Sequence, residues 1–284
     1  VKVEKIVKEL DSLKGVEGIV LGGSLCRGEA DDLSDTDIGI YYDPEHIEFR
    51  QLEGAIQRLD DTGEASLFLP GSWGPWVNGG AWTTMEGKPV DFILRETKRV
   101  EQTIKDCLNG HITISDQSGH PFGFVNSIYA AEVNDCQIVW ESPEKPVSAL
   151  KGKLISRGAY PPEMRQATID KFLFEADFSI HSSRKALLKG DLNYASGAFF
   201  KAACAWVQVI FALNEKFLMN EKGGVHQANK LAVKPTHFKV RVNQVYHFLA
   251  EHNPGLACLE IESLQREIGE LAEPYRKDFV KAGE

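Results

Sequence analysis

The hydrophobic period changes partway along this chain, and that change constrains the fold more than any single residue does. Over the first third, short apolar runs alternate with stretches of helical spacing. Val16–Leu21 stops at Gly22-Gly23, Thr36–Tyr42 is a second run, and Ile47, Leu52, Ile56 and Leu59 share one face of a helix entered at Pro44. Residues 66–69 read as a further strand. Residues 81–86 and 89–95, parted by Gly87-Lys88, read as a hairpin. A helix is predicted over Thr97–Leu108, with Asn109-Gly110 as its stop signal. Beyond Pro162 only helical spacing remains, over 163–189, 192–220, 237–251 and 256–279. The reading is an α/β (α+β) chain: a small mixed-sheet domain over 1–150, then an all-helical bundle over 151–284. The prolines at 143, 146, 161 and 162 punctuate the connection, and the apolar helix carrying Phe199, Ala203, Trp206, Val207 and Ile210 lies at the bundle's centre.

Composition excludes several classes. With 32 Lys and Arg against 41 Asp and Glu, the formal charge is -9, so a long phosphate backbone meets net repulsion and broad nucleic-acid binding is disfavoured. Five cysteines (Cys26, Cys107, Cys136, Cys204 and Cys258) are scattered, odd in number and never in a CxxC pair; they read as reduced thiols of a cytoplasmic protein. The most apolar stretch, 198–213, is interrupted by Lys201 and Gln208 and falls short of the roughly 20 residues of a membrane span. The first fifteen residues alternate charged and apolar residues at helical spacing, which reads as a helix rather than an export signal.

The segment that carries chemistry is Gly22 to Tyr42, GGSLCRGEADDLSDTDIGIYY. An apolar strand delivers Gly22-Gly23-Ser24 into a tight turn, where missing side chains let backbone N–H groups approach a phosphate and the Ser24 hydroxyl adds a hydrogen bond. Asp35 and Asp37, two residues apart at the start of the next strand, emerge on one face, close enough to share a divalent cation. Hard oxygen ligands suit magnesium. Asp91, flanked by Val90 and Phe92-Ile93-Leu94, is the candidate for a third carboxylate beside them. Set against this, the acids at 31, 32, 35 and 37 also fit a solvated loop. No GxxxxGK[ST], GxSxG or HExxH occurs, so phosphate-loop ATPase, serine hydrolase and zincin readings have no support.

Gly-Gly-Ser, a spacer, Asp-x-Asp in an apolar strand and a later Asp in another resembles the nucleotidyltransferase superfamily of DNA polymerase beta and the kanamycin and lincosamide nucleotidyltransferases. The resemblance covers the first hundred residues. It implies that Gly23 and Ser24 hold the nucleotide triphosphate, that Asp35, Asp37 and Asp91 bind two magnesium ions, and that Asp91 is the general base, with Glu175 or Asp177 as the second choice. The helical half, with Ala212-Leu213-Asn214 near the end of its apolar helix, is similar to the acceptor-binding bundle of the antibiotic-modifying branch. The implied enzyme moves a nucleoside monophosphate, AMP from ATP, onto a hydroxyl of a small molecule such as an aminoglycoside or lincosamide, in the cleft between the domains, and acts as a monomer or homodimer away from membranes. Resistance to such an antibiotic is the corresponding phenotype. A protein or tRNA acceptor, or a lapsed nucleotide-binding module, are the alternatives.

Three further residues are ambiguous. Arg27 reaches either a phosphate or a neighbouring acid; Lys201 and Arg184 either meet phosphate or snorkel to solvent. Three of the five tryptophans crowd the loop GSWGPWVNGGAW, where stacking on a base or a ring-shaped acceptor competes with packing; packing is the expectation.

Overall fold

The computed structural model describes residues 2–23, 35–156, 158 and 160–276. The chain divides into two compact units, Val1–Lys105 with Ser115–Gly158, and Asp106–Ile114 with Ala159–Glu284. A mixed sheet carries the first and helices the second, in keeping with the α+β class read from the sequence.

In the first unit the strands β1 (Val16–Leu21), β2 (Thr36–Tyr42), β3 (Gly80–Met85), β4 (Lys88–Glu96) and β5 (Gln137–Glu141) form one sheet in the order β3-β4-β2-β1-β5. Only β2 and β4 run parallel, and the connection between them includes the helix α2 (Phe49–Leu59). Period-2 alternation gives the sheet an apolar face: Ile38 and Ile40 of β2, Val90, Phe92 and Leu94 of β4, and Ala81 and Met85 of β3 are buried. They join one core with Leu52, Ala55, Ile56 and Leu59 of α2 and Ile6 and Leu10 of α1 (Val3–Leu10). The intervening residues point to the other face. There Arg95 of β4, 4% exposed, donates from Nε (2.7 Å) and from a terminal nitrogen (2.6 Å) to Glu132 of α4 (Ile128–Asp135), with its guanidinium over the Tyr129 ring. The paired Glu132 carboxylate offsets the desolvation of that guanidinium and holds it charged.

The helix α3 (Thr97–Leu108) forms where expected, while several other elements change at their ends. The helix expected from Pro44 starts at Phe49, because Asp43 gathers the Glu45, His46 and Ile47 N–H groups into a turn first. The strand expected over 66–69 is a single bridge between Phe68 and Gly80. The hairpin turns at Glu86-Gly87, not Gly87-Lys88, with both residues at positive φ (54° and 74°), the geometry that matches the strands' twist. The connection expected after Pro143 holds a helix, α5 (Pro146–Ser156), with proline at its first position, where a missing N–H costs nothing.

In the second unit, α6 (Pro162–Leu188) and α7 (Leu192–Leu213) form a helical hairpin. Gly190 turns the chain, Asp191 caps α7 by accepting from the Tyr194 N–H (3.0 Å), and Ser183 donates to the Ala195 carbonyl (2.9 Å). From Ala202 to Leu213 every residue of α7 is buried, so it is the core helix of this unit, flanked by α8 (Gly224–Ala228), α9 (Phe238–Ala250) and α10 (Pro254–Ala272). By length and composition alone α7 could cross a membrane; the burial of most of its apolar stretch is that of a core helix. It ends at Leu213 and not near Asn220, because the Asn214 side chain closes it, donating to the Ile210 and Val233 carbonyls (2.7 Å each) and accepting from the Val233 N–H (2.9 Å).

Candidate active site

Two carboxylates meet across the parallel strand pair. Asp37 is the second residue of β2, and the β2–β4 register sets it directly beside Asp91, on the face opposite the apolar core. Both are half-buried; Asp35, just before β2, is exposed. Burial first, then the charges of Asp37 and Asp35, push the Asp91 carboxyl up to about 6. Asp91 therefore senses both other acids, although only Asp37 is in register with it.

The glycine turn closes against the same carboxylate. Gly22 extends the β1–β2 ladder, its N–H donating to the Asp37 carbonyl (2.9 Å). Gly23 then takes a left-handed φ of +66°, and a Cβ there would lie 1.8 Å from Asp37 Oδ2. Glycine at 23 thus serves both backbone conformation and room beside the acid. Ser24 and Arg27, the other two turn residues singled out from the sequence, lie outside the described residues, as does Cys26.

Among the described residues no three His, Cys, Asp or Glu side chains are grouped to hold a metal ion, so the expected set of Asp35, Asp37 and Asp91 is not closed as a coordination shell. Like charges with nothing between them stand apart. The donor chemistry nevertheless fits a hard divalent cation: the available groups are carboxylate oxygens, and the burial and neighbouring charges that raise the affinity of Asp91 for a proton would equally favour a cation there.

Across β4 from Asp37 the sheet ends in an aromatic group. The hairpin register opposes Trp82 of β3 to Asp91, and directly opposed residues share a face. Trp82 stacks on Trp73 (centroids 4.5 Å apart, 23° between planes), Phe68 stands edge-on to it at 5.2 Å, and the indole is still 59% exposed. The loop beneath is fixed by buried Gln117, which accepts from the Trp76 and Val77 N–H groups and donates to the Trp73 carbonyl. Trp76 takes the packing role expected of the whole loop, stacked on Phe124 at 5.2 Å, and Trp82 departs from it. Counting back from a turn at Glu86-Gly87 would have placed Trp82 opposite Asp91 from the sequence.

The remaining sequence candidates lie in the second unit. Lys201 is exposed on α7 and Glu175 half-buried on α6. Asp177 accepts a hydrogen bond from Gln265 Nε2, whose Oε1 accepts from the buried Trp206 indole, so this acid is tied into the helical packing. Arg184 pairs with Glu262 at 2.9 Å.

Residues 2–110 match the family model described as a nucleotidyltransferase domain. The match agrees with the class of enzyme, a nucleotidyltransferase, read from Gly-Gly-Ser and Asp-x-Asp. Among solved structures, the chain is similar to a nucleotidyltransferase-like protein from Exiguobacterium sibiricum 255-15, at 12% identity, over 96% of this chain and 76% of that one, with a TM-score of 0.44. No curated protein matches the chain.

Proposed function

We propose that this protein transfers a nucleoside monophosphate, AMP from ATP, to a hydroxyl of a small molecule such as an aminoglycoside or lincosamide, releasing pyrophosphate. The observation that carries this reading is the Gly22-Gly23 turn seated on the Asp37 carboxylate, with Asp91 in register beside it. In this reading the backbone of Gly23, with Ser24 and Arg27, holds the triphosphate. Asp35, Asp37 and Asp91 hold magnesium, two ions in the full arrangement, which when bound would neutralise the triphosphate and acidify the acceptor hydroxyl.

The proton is the protein's own task. A carboxyl raised to about 6 is roughly nine-tenths ionised at pH 7, yet more basic than an ordinary aspartate, which suits Asp91 to take the hydroxyl proton. The acceptor oxygen bonds to the α-phosphorus, the bridge to the β-phosphate breaks, and pyrophosphate leaves on the opposite side. An acidic protein, at -9, favours a cationic acceptor over a polyanion. A cytoplasmic setting belongs to the same proposal, supported by free thiols at Cys107, Cys136, Cys204 and Cys258.

The test is incubation with α-labelled ATP, magnesium and a panel of aminoglycosides, lincosamides, tRNA and proteins, following pyrophosphate. Transfer to a small molecule is expected, and Asp37→Ala should abolish it with the circular dichroism spectrum unchanged. Full turnover by Asp37→Ala would defeat the mechanism; transfer to tRNA or protein alone would defeat the acceptor class.

A further inference from the structure

Three neighbouring strands and one turn lay a row of groups across the sheet on the face opposite the apolar core: Trp82 on β3, Asp91 on β4, Asp37 on β2, and Gly22-Gly23 at the end of β1. Adjacent strands are about 4.8 Å apart, so the row is short enough for one reacting complex to lie along it. The glycine turn stands at one end, the indole at the other, and the carboxylates between.

The exposure of that indole is not that of a packing residue. Trp73 and Phe68 back it, Gln117 fixes the loop that carries Trp73, and 59% of Trp82 is left open beside the acid. A flat, rigid aromatic surface held in this way loses little freedom when a second flat surface is laid on it.

We propose that Trp82 receives the acceptor: the hydroxyl to be modified is carried on a ring, and a flat face of that ring lies on the indole while the hydroxyl reaches Asp91. This rests on the nucleotidyl-transfer reading. Direction decides between acceptor and nucleobase as the occupant. In-line displacement places the nucleophile and the leaving group on opposite sides of phosphorus. With the triphosphate gripped at Gly23, pyrophosphate departs on the β1 side, and the nucleophile arrives from the β3 side, across Asp91. Trp82 lies on that path. The substrate class is thus an alcohol on a sugar-like, cyclitol or aromatic ring, and an acyclic polyol lacks the face that would seat it.

The experiment compares wild type, Trp82→Ala and Trp82→Phe in pyrophosphate release from ATP and magnesium, with kanamycin, lincomycin and a phenol as ring-bearing alcohols and glycerol and sorbitol as acyclic ones. Ring-bearing alcohols should be preferred. Trp82→Ala should raise the KM for the best of them about tenfold, in line with alanine replacement of a stacking side chain. The KM for ATP should stay within twofold, and Trp82→Phe should recover most of the loss. Equal use of glycerol and sorbitol overturns the assignment. So does a rise in the KM for ATP with the acceptor KM unchanged, which would put the nucleobase on the indole, or no change in either. The two possible failures separate: if no alcohol gives Asp37-dependent pyrophosphate release, the transfer reading falls and the acceptor assignment with it; if release depends on Asp37 but the acceptor KM ignores Trp82, only the assignment falls.

Discussion

Replacing Asp91 by Asn should stabilise the protein while disabling it, and the stabilisation should depend on pH. The carboxyl is raised from 3.8 to about 6 by burial and by the charges of Asp37 and Asp35, so the folded state holds this proton more tightly than the unfolded state does. Between those two values the folded state binds more protons, and stability falls as pH rises through the window; above it both states are ionised and the penalty is constant. A proton held on the order of a hundredfold more tightly amounts to about 3 kcal/mol if fully expressed, and solvent screening at a half-buried site reduces this to about 1–2 kcal/mol. For a domain of this size that is about 3–6 °C in Tm. Asn carries no charge at any pH. Thermal melts of both proteins in EDTA, from pH 4 to 7.5, should therefore diverge, with Asp91→Asn higher by that amount at pH 7 and level with wild type near pH 4. Ten millimolar magnesium should then narrow the gap at pH 7 by stabilising only the protein that keeps all three carboxylates. A gap that is flat with pH, or an Asn variant that melts below wild type at pH 7, would refute the combined burial and crowding of this carboxyl.

Two further expectations concern neighbouring parts of the same unit. Gly23→Ala sets a methyl group where Asp37 Oδ2 now lies and forces a left-handed φ on a non-glycine residue; kcat/KM for ATP should drop on the order of 100-fold, as small displacements of reacting groups do, and a wild-type value would show that the turn does not grip the nucleotide. Glu132→Ala strips the buried Arg95 guanidinium of its bidentate partner and should cost about 3 kcal/mol, read as a lower urea midpoint with an unchanged m-value; an unmoved midpoint would mean that water or another acid replaces the carboxylate.

Much of this architecture is written in local pattern. The helix over Thr97–Leu108, the long pair on either side of Gly190 and the strand endings at Gly22 follow from spacing and stop residues, because period and backbone preference act over a few neighbouring positions. The acids at 37 and 91 are likewise recognisable one by one, each in an apolar strand. Elements that rest on distant partners were harder to see. The stop of α7 at Leu213 depends on Asn214 reaching Val233, and the helix over Pro146–Ser156 was obscured by prolines that also punctuate loops.

Register shows the division most plainly. Composition alone allows the hairpin to turn at Gly87-Lys88, which would set Thr84 opposite Asp91; folding turns it one residue earlier and brings Trp82 there instead. Nor does anything in the order of residues say that the strand holding Asp91 must lie parallel to the one holding Asp37, some fifty positions away. Short-range preferences chose the kinds of element and the chemistry they carry. Burial of the apolar faces of β2, β3 and β4 against α1 and α2 fixed which sides of the strands turn inward, but both hairpin registers satisfy it; the left-handed turn at Glu86-Gly87, formed only as the strands pair, decided which side chains became neighbours.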